Sequence, residues 1–414
     1  MRCHGRGGGM INRNLLVLAS IVFIDMAGIG LIVPVMPSLI QSLTGQGLDH
    51  AATWGGWLLF TYALMQFLFA PVIGGLSDRF GRRPVLLATL ALLGVDYALM
   101  AFAPSLAWLF AGRAISGVMG ASYAAANSCI ADSIPAERRG AAFGMLGGAG
   151  AAGFVLGPAI GGLIGQFGDR LPFVAAALLC AAGTVFGWLR FAETLDPDKR
   201  RRFDPFRSNP LGMIVRMARI PLVIGCLAAI FLMQLASQAQ LSVWAYYGTA
   251  KFQWTPAMTG MTIALFGVMI VLTQGVLSGK AIARFGAVRT ATISLLFSIP
   301  SFLTLAFAPS TPVVILGVII GAIPGMCFPA MQQLMSPCVA EDAQGELQGA
   351  IASTISLTAI IGPPLMTWVF AAYADARGIF FPGAPFVVAA GLMAGAVTVL
   401  TVTLLRHAGQ PSAA

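Results

Sequence analysis

Three ionisable residues stand inside long apolar stretches of the chain: Asp25, Asp96 and Arg113. A charge near the middle of a membrane helix costs at least about 2.5–3.5 kcal/mol on insertion scales, so such positions point to function. Asp25 begins the run Asp25-Met26-Ala27-Gly28-Ile29-Gly30, which is followed by Pro34 and Pro37. Glycines and prolines that loosen a helix are tolerated where it lines a cavity. A carboxyl in a cavity that is alternately wet and closed can take up and release a proton. Asp25, with no basic residue at matching depth in its half of the chain, is expected to do this or to bind a cation. Asp96 lies eight residues before Pro104 and Arg113 nine after it, in consecutive antiparallel stretches. Both therefore sit roughly 10 Å inside the same boundary, at about 1.5 Å per residue. They are placed to pair, either as a static tie between two helices or as groups that meet solute and proton. Gln66, Asn127, Gln234, Gln238 and Gln240 add uncharged hydrogen-bonding groups, each a helix bridge or a solute contact.

A different chemistry occupies Gly74-Gly75-Leu76-Ser77-Asp78-Arg79-Phe80-Gly81-Arg82-Arg83-Pro84. Here one acid and the arginines Arg79, Arg82 and Arg83 surround a glycine turn. Asp78 is expected to bind a helix N-terminus or an arginine across an interface, forming a latch that opens during a conformational change. Further on, Gly147-Gly148-Ala149-Gly150 leads to Gly153-Phe154-Val155-Leu156-Gly157-Pro158-Ala159-Ile160-Gly161-Gly162. Small residues at this spacing allow close helix contact, expected where two halves of the molecule meet.

The elements that position these groups follow from composition. Of 414 residues, 58% are hydrophobic and only 9% charged. A soluble domain has about 25% charged residues, so this chain has too little polar surface to stay in water. A spanning helix needs about 20 mostly apolar residues, and such runs fall at 14–40, 54–77, 84–103, 107–131, 141–166, 172–191, 221–246, 257–279, 290–308, 312–335, 347–373 and 385–406. An all-α protein of twelve transmembrane helices is expected. The first run leads into Pro34 and Pro37 instead of a cleavage site, so it counts as a span. Residues 1–13 are expected as a loose, basic, Gly-rich tail, with Met10 a possible alternative start, and 407–414 as a second tail.

The net charge of +9 is not spread as in a nucleic-acid binder. Counted by alternate loops, about 20 Lys/Arg lie on the side of the N-terminus and Arg170, Lys251 and Arg377 on the other, the positive-inside bias. This places both termini and the 192–220 connection, with Lys199, Arg200, Arg201 and Arg202, in the cytoplasm. The six cysteines show no pairing or CxxC spacing, so neither disulfides nor a metal site is expected. The three histidines, His4, His50 and His407, lie in tails or loops, which excludes a histidine proton relay within the membrane.

The chain also matches itself at a shift of 205 residues. Ala101-Phe102-Ala103-Pro104-Ser105 returns as 306–310, Arg79-Phe80-Gly81 as 284–286, Gly140 as Gly345, and Gly157-Pro158 as Gly362-Pro363. Six spans separate equivalent points, so halves 14–191 and 221–406 are expected to share one orientation, related by an axis along the membrane normal. Secondary transporters built from such parallel repeats bind solute between the halves. The 192–220 segment, with Pro197, Pro205 and Pro210, is then a flexible cytoplasmic linker.

These segments resemble the major facilitator superfamily, and in particular its drug:proton antiporters. GGLSDRFGRRP is similar to the superfamily's loop between spans two and three, Arg113-Ala114-Ile115-Ser116-Gly117 to its span-four arginine motif, and GFVLGPAIGG to the antiporters' span-five motif. A narrower resemblance, to the tetracycline-efflux proteins, covers nearly the whole chain. It rests on the segment from Asp25 to Pro37, Tyr62-Ala63-Leu64-Met65-Gln66, Asp96-Tyr97-Ala98, Met233-Gln234-Leu235, and Gln344 to Gly349 ahead of Gly362-Pro363. The resemblance implies exchange of a tetracycline, as a divalent-metal (magnesium) chelate, for a proton across the bacterial inner membrane. Asp25 and Asp96 would couple protons, with Gln66, Arg113, Asn127, Gln234 and Gln238 also meeting substrate. Asp78, Arg79, Arg82, Arg83, Gly157 and Pro158 would gate. No cofactor beyond the proton gradient is implied, and a monomer among membrane lipids suffices. Two positions depart from the pattern: Ser298 where an acid is common, and Ile270 where a histidine is common. They keep open another drug or an endogenous metabolite as the solute. An intramembrane enzyme would need a convergent nucleophile and base, and a receptor or channel gives no reason for the whole-chain duplication.

Overall fold

The computed structural model describes residues 4–120, 122–196, 198, 200, 210–340, 343–374 and 378–408. Among them every regular element is helical. The first span is α1 (His4–Ile32), a 3-10 turn at Val33–Val35 and α2 (Met36–Thr44); Pro34 removes a backbone donor there and breaks the α ladder. Next come α3 (Leu48–Phe80), α4 (Arg82–Ala101), α5 (Leu106–Met119), α6 (Ser122–Ser133), α7 (Ala136–Gly165) and α8 (Leu171–Arg190). A short α9 (Pro210–Met217) precedes α10 (Pro221–Phe252), α11 (Pro256–Leu272), a π-helical turn at Thr273–Leu277 and α12 (Ser278–Phe285). The chain continues through α13 (Ala287–Phe307), α14 (Thr311–Ile320), α15 (Cys327–Met335), α16 (Gln344–Ala374) and α17 (Ala384–Ala408). Among the described residues, eleven stretches are long and apolar enough to cross a membrane, and Leu106–Met119 is a shorter apolar helix. Leu178, Trp188 and Leu189 on α8 are each about two-thirds exposed, as expected of a lipid-facing surface. This is a multi-pass membrane protein.

Three expectations need correction. The fourth span, expected to run unbroken over 107–131, ends as a helix at Met119 and restarts at Ser122. The Gly120 N–H folds back to the Gly117 carbonyl at 3.3 Å, a tight turn that starts no further α ladder. The N-terminal tail is already helical from His4, because a helix nucleated by an apolar span extends at little cost. The linker is not a free tether at its ends. Pro210–Met217 is helical, and Arg216 Nε bonds Glu346 Oε2 on α16 at 2.9 Å. Of the other linker charges, Lys199, Arg201, Arg202, Asp204 and Arg207 lie with Pro197, Pro205, Cys3 and Arg377 outside the described residues.

The sequence repeat reappears in the backbone. Helix α3 ends at Phe80 and α12 at Phe285, the same position at a shift of 205. Each is followed by a glycine at positive φ, Gly81 (106°) and Gly286 (79°), which only glycine adopts readily. The breaks after Met119 and Ile320 also correspond, since α6 restarts at 122 and α15 at 327.

By internal contacts the chain forms two compact units. One contains Met1–Gln46, Thr61–Ser208 and Trp254–Ala264; the other contains Gly47–Phe60, Asn209–Gln253 and Leu265–Ala414. The start of α3 packs with the second unit because Gly55 and Gly56 admit Tyr246 and Thr367. The start of α11 packs with the first, where the glycine pair Gly162 and Gly260 meets Pro256 and Pro158. The boundaries 14–191 and 221–406 do not register this crossover.

Candidate functional site

All four buried charged residues among the described ones, Asp25, Arg82, Asp96 and Arg113, lie in the first unit. Asp25 projects from the middle of α1 and is 2% exposed. Among the described residues its carboxylate has no hydrogen bond or ion pair. Asp96, on α4, and Arg113, on α5, are not joined by the direct pair the spacing suggested. Instead the Ser116 hydroxyl, one turn along α5, donates to Asp96 Oδ2 and accepts from Arg113 Nη2 at 3.3 Å. Arg113 also reaches Met100 Sδ at 3.5 Å and lies 5.8 Å from the centre of the Tyr62 ring. Asp96 Oδ1, Tyr97 Oη and Arg113 Nε are buried without partners. Tyr62 and Tyr97 each lie within Coulombic reach of both Asp25 and Arg113, so the acid of α1 and the set on α4 and α5 share one polar environment.

Gln66 serves the break in the fourth span. Its Nε2 donates to the Gly120 carbonyl at 2.9 Å, an acceptor that the helix end releases, and lies 3.4 Å from the Tyr62 hydroxyl. Asn127 is half-buried on α6. Gln234 and Gln238 are on α10 in the second unit, Gln234 half-buried and Gln238 buried against Gly362.

The charged loop closes on its own unit. Asp78 Oδ1 pairs with Arg82 Nη1 at 2.6 Å, and Arg82 Nε with Asp132 Oδ2 on α6 at 2.9 Å. Asp78 was expected to cap a helix N-terminus or hold a distant arginine, but Glu193 does the capping. It accepts the Arg82 and Arg83 amides at 2.9 and 3.2 Å, and its own carboxylate folds back onto the Thr194 and Leu195 amides. Arg83 Nη2 donates to the Trp188 carbonyl at 2.7 Å, while Arg79 is exposed beside the Phe80 ring. A polar cavity of about 650 Å³ is lined by Asp78, Arg82, Ser128, Asp132, Asp198 and Arg200.

The span-five glycines pack mainly on α1, and Pro158 and Gly162 also meet Gly260 and Pro256 at the start of α11, which belongs to the expected half 221–406. A Cβ on Gly157 would stand 2.7 Å from the Ala27 carbonyl oxygen, and one on Gly153 3.0 Å from Met26 Cβ; Pro158 lies against Gly30. This stripe therefore sets the position of the helix that carries Asp25. Ser116 and Glu193 escaped the sequence reading. The first is one residue of an arginine motif, and the second is an ordinary acid at the end of a span. Neither spacing nor composition marks them.

A model of the Major Facilitator Superfamily matches residues 18–247 and 226–412. The class C tetracycline resistance protein of Escherichia coli is 38% identical over 365 residues, covering 88% of this chain and 91% of that protein. The class G protein of Vibrio anguillarum is 38% identical over 362 residues, 87% of this chain and 91% of that one. Among solved structures, a bacterial homolog of the human lysosomal transporter Spinster, inward-facing and unoccupied, matches with a TM-score of 0.71 at 18% identity, over 97% of this chain and 96% of that one. With its repeat, its charged loop and a whole-length match to these relatives, the chain belongs to the Major Facilitator Superfamily, in the group of the tetracycline resistance proteins.

Proposed function

We propose that this transporter exports tetracycline, as a magnesium chelate, from the bacterial cytoplasm in exchange for protons, by alternating access. One observation carries the reading beyond kinship. An unpaired buried carboxylate, Asp25, shares a polar environment with a second acid, Asp96, that is bonded only through a serine. A proton-driven exporter needs a group that is protonated on one side and deprotonated on the other, and these two carboxyls are the embedded acids among the described residues. In this reading the positive-inside charges put both termini and residues 192–220 in the cytoplasm. Halves 14–191 and 221–406 rock about the solute, with Gln66, Arg113, Asn127, Gln234 and Gln238 meeting it and Asp78, Arg79, Arg82 and Arg83 gating the cytoplasmic side. A monomer performs the cycle.

The test is tetracycline accumulation with Mg²⁺ by proteoliposomes under an imposed pH gradient. Wild type should pump, and Asp25→Asn should lose uphill transport while Asp96→Asn is reduced. Pumping by Asp25→Asn at the wild-type rate overturns the assignment of Asp25. A second reading has its own observation. Ser298 is buried with its hydroxyl on the Ser294 carbonyl at 3.4 Å, and Ile270 stands beside Gly325, so among the described residues the second unit offers no embedded charge to a metal chelate. That favours another drug or an endogenous metabolite, and a drug-susceptibility panel on cells with and without the protein separates the two.

A further inference from the structure

The Tyr97 hydroxyl is fully buried, yet it has no hydrogen-bond partner among the described residues. An aromatic residue needing only bulk at this site would be Phe, since burying an unpaired hydroxyl is unfavourable. The internal repeat supplies that comparison. At a shift of 205 residues, Asp25 becomes Ile230, Asp96 becomes Ser301, Arg113 becomes Val318, Ser116 becomes Gly321, and Tyr97 becomes Phe302. The backbone frame survives. Asp96 Oδ1 lies where a Cβ on Gly112 would be 2.8 Å away, and the Ser301 hydroxyl bonds the carbonyl of Gly317, the counterpart of Gly112, at 2.9 Å. The hydroxyl is therefore present in the unit that has the buried charges and missing from the unit that has no buried charge among the described residues.

Its position explains why. The Tyr97 ring reaches from α4 onto α1, where a Cβ on Gly28, three residues from Asp25, would stand 3.0 Å from Tyr97 Oη. The hydroxyl thus lies against the helix of Asp25 while its own neighbour in sequence is Asp96. The titratable and charged groups around it are Asp25 on α1, Tyr62 on α3, Arg113 on α5 and Cys180 on α8, and Asp96, the preceding residue on α4, lies within Coulombic reach of that same Cys180.

We infer that Tyr97 is a relay residue that passes a proton between Asp25 and Asp96, its hydroxyl joined to the two carboxyls directly or through enclosed water. In the transfer, the O–H bond of protonated Asp25 breaks as a new O–H bond forms at Tyr97. The phenol's own O–H bond breaks as its proton reaches Asp96 Oδ1, directly or by exchange through a water that gains one proton and loses another. Asp25 ends as carboxylate, Asp96 as carboxylic acid and Tyr97 neutral. The inference rests on proton-coupled export as proposed above.

Tyr97→Phe tests it, in purified protein reconstituted into proteoliposomes with tetracycline and Mg²⁺. Because Phe302 fills the equivalent site, the variant should fold, and its thermal stability should equal or exceed that of wild type. Equilibrium tetracycline binding and tetracycline counterflow, which needs no net proton movement, should stay within about twofold. Uphill accumulation driven by a pH gradient should fall at least about tenfold. Gly28→Ala, which displaces the ring, should lower pumping in the same sense. Wild-type pumping by Tyr97→Phe overturns the relay, and so does a loss of counterflow equal to the loss of pumping, which marks a packing role. If the wild-type protein itself fails to accumulate drug under the gradient, the fault lies with proton-coupled export and not with Tyr97.

Discussion

Replacing Ser116 with alanine removes the one group that ties Asp96 to Arg113. The hydroxyl is 2% exposed and makes two bonds, one donated to a carboxylate oxygen and one accepted from a guanidinium nitrogen at 3.3 Å. A hydrogen bond to a charged group contributes about 1.5–3 kcal/mol. The longer arginine contact adds little, because Arg113 retains Met100 and Tyr62. Asp96 Oδ1 already lacks a partner, so the variant leaves the whole carboxylate unsatisfied unless Arg113 swings onto it. The expected cost is about 2 kcal/mol for a bond of this class. A body of 150–250 residues loses about 2–4 °C per kcal/mol, so a melting shift of about 4–8 °C should appear in detergent when variants are compared at one scan rate. A double-mutant cycle with Asp96→Asn isolates the pair and should return a coupling of about 1–2 kcal/mol. The reasoning fails if Ser116→Ala melts with wild type and the two substitutions simply add.

Other consequences can be checked on the same preparation. Gly157→Val should separate α7 from α1 and lose about 1–3 kcal/mol through overpacking, whereas Gly148→Ala, with nothing within 4 Å, should be silent in thermal melts. Glu193→Ala removes the carboxylate that caps α4 and should cost about 1 kcal/mol, the usual worth of a cap, with Glu193→Gln intermediate; equal stability of all three proteins would contradict the capping role. Reporter fusions at Asp49 and Lys251 should read as external, and a cytoplasmic signal at either would overturn the proposed orientation.

Much of the architecture was legible because bilayer thickness and apolar run length are coupled. The spans at 84–103 and 172–191 fall within a few residues of α4 and α8. The repeat offset found in matches of one to five residues also locates paired helix ends and glycine turns. What escaped depends on side-chain geometry. Hydropathy does not distinguish an apolar stretch that breaks at Gly120 from one that continues, and the break becomes visible only when Gln66 is seen taking the Gly120 carbonyl. Asp96 and Arg113 do come together, but a common depth along two helices does not specify azimuth, and a serine between them changes a pair into a bridge. Asp78 was expected to hold a helix N-terminus or an arginine across the half interface because a purely topological loop has no use for a fixed acid, but Arg82, four residues on, pairs with it at 2.6 Å.

Arg170 and Lys251 show how the repeat keeps a structural device with different residues. Arg170 donates to the carbonyls of Ala101 and Ala103, each at 2.9 Å, and Lys251 Nζ donates to the Ala306 carbonyl at 3.0 Å. Ala306 is the counterpart of Ala101 in the repeated Ala-Phe-Ala-Pro-Ser turn, so both donors satisfy carbonyls at the end of an equivalent helix, where a cation also suits the helix dipole. The donors come from different places: Arg170 from the turn before α8, Lys251 from the last turn of α10. In the orientation proposed above, positive charge on this side would oppose the topological bias, and capping is the compensating gain. The buried charges follow the opposite pattern. A capped helix end is needed in every copy, so both copies found a donor, whereas a charge at membrane depth lowers stability wherever it is not used. The second unit carries Ile230, Ser301 and Val318 where the first has Asp25, Asp96 and Arg113, while Gly112 and Gly120 recur as Gly317 and Gly325 and the helix restart at 122 recurs at 327. Structural devices were thus kept in duplicate, and the ionisable chemistry was kept once.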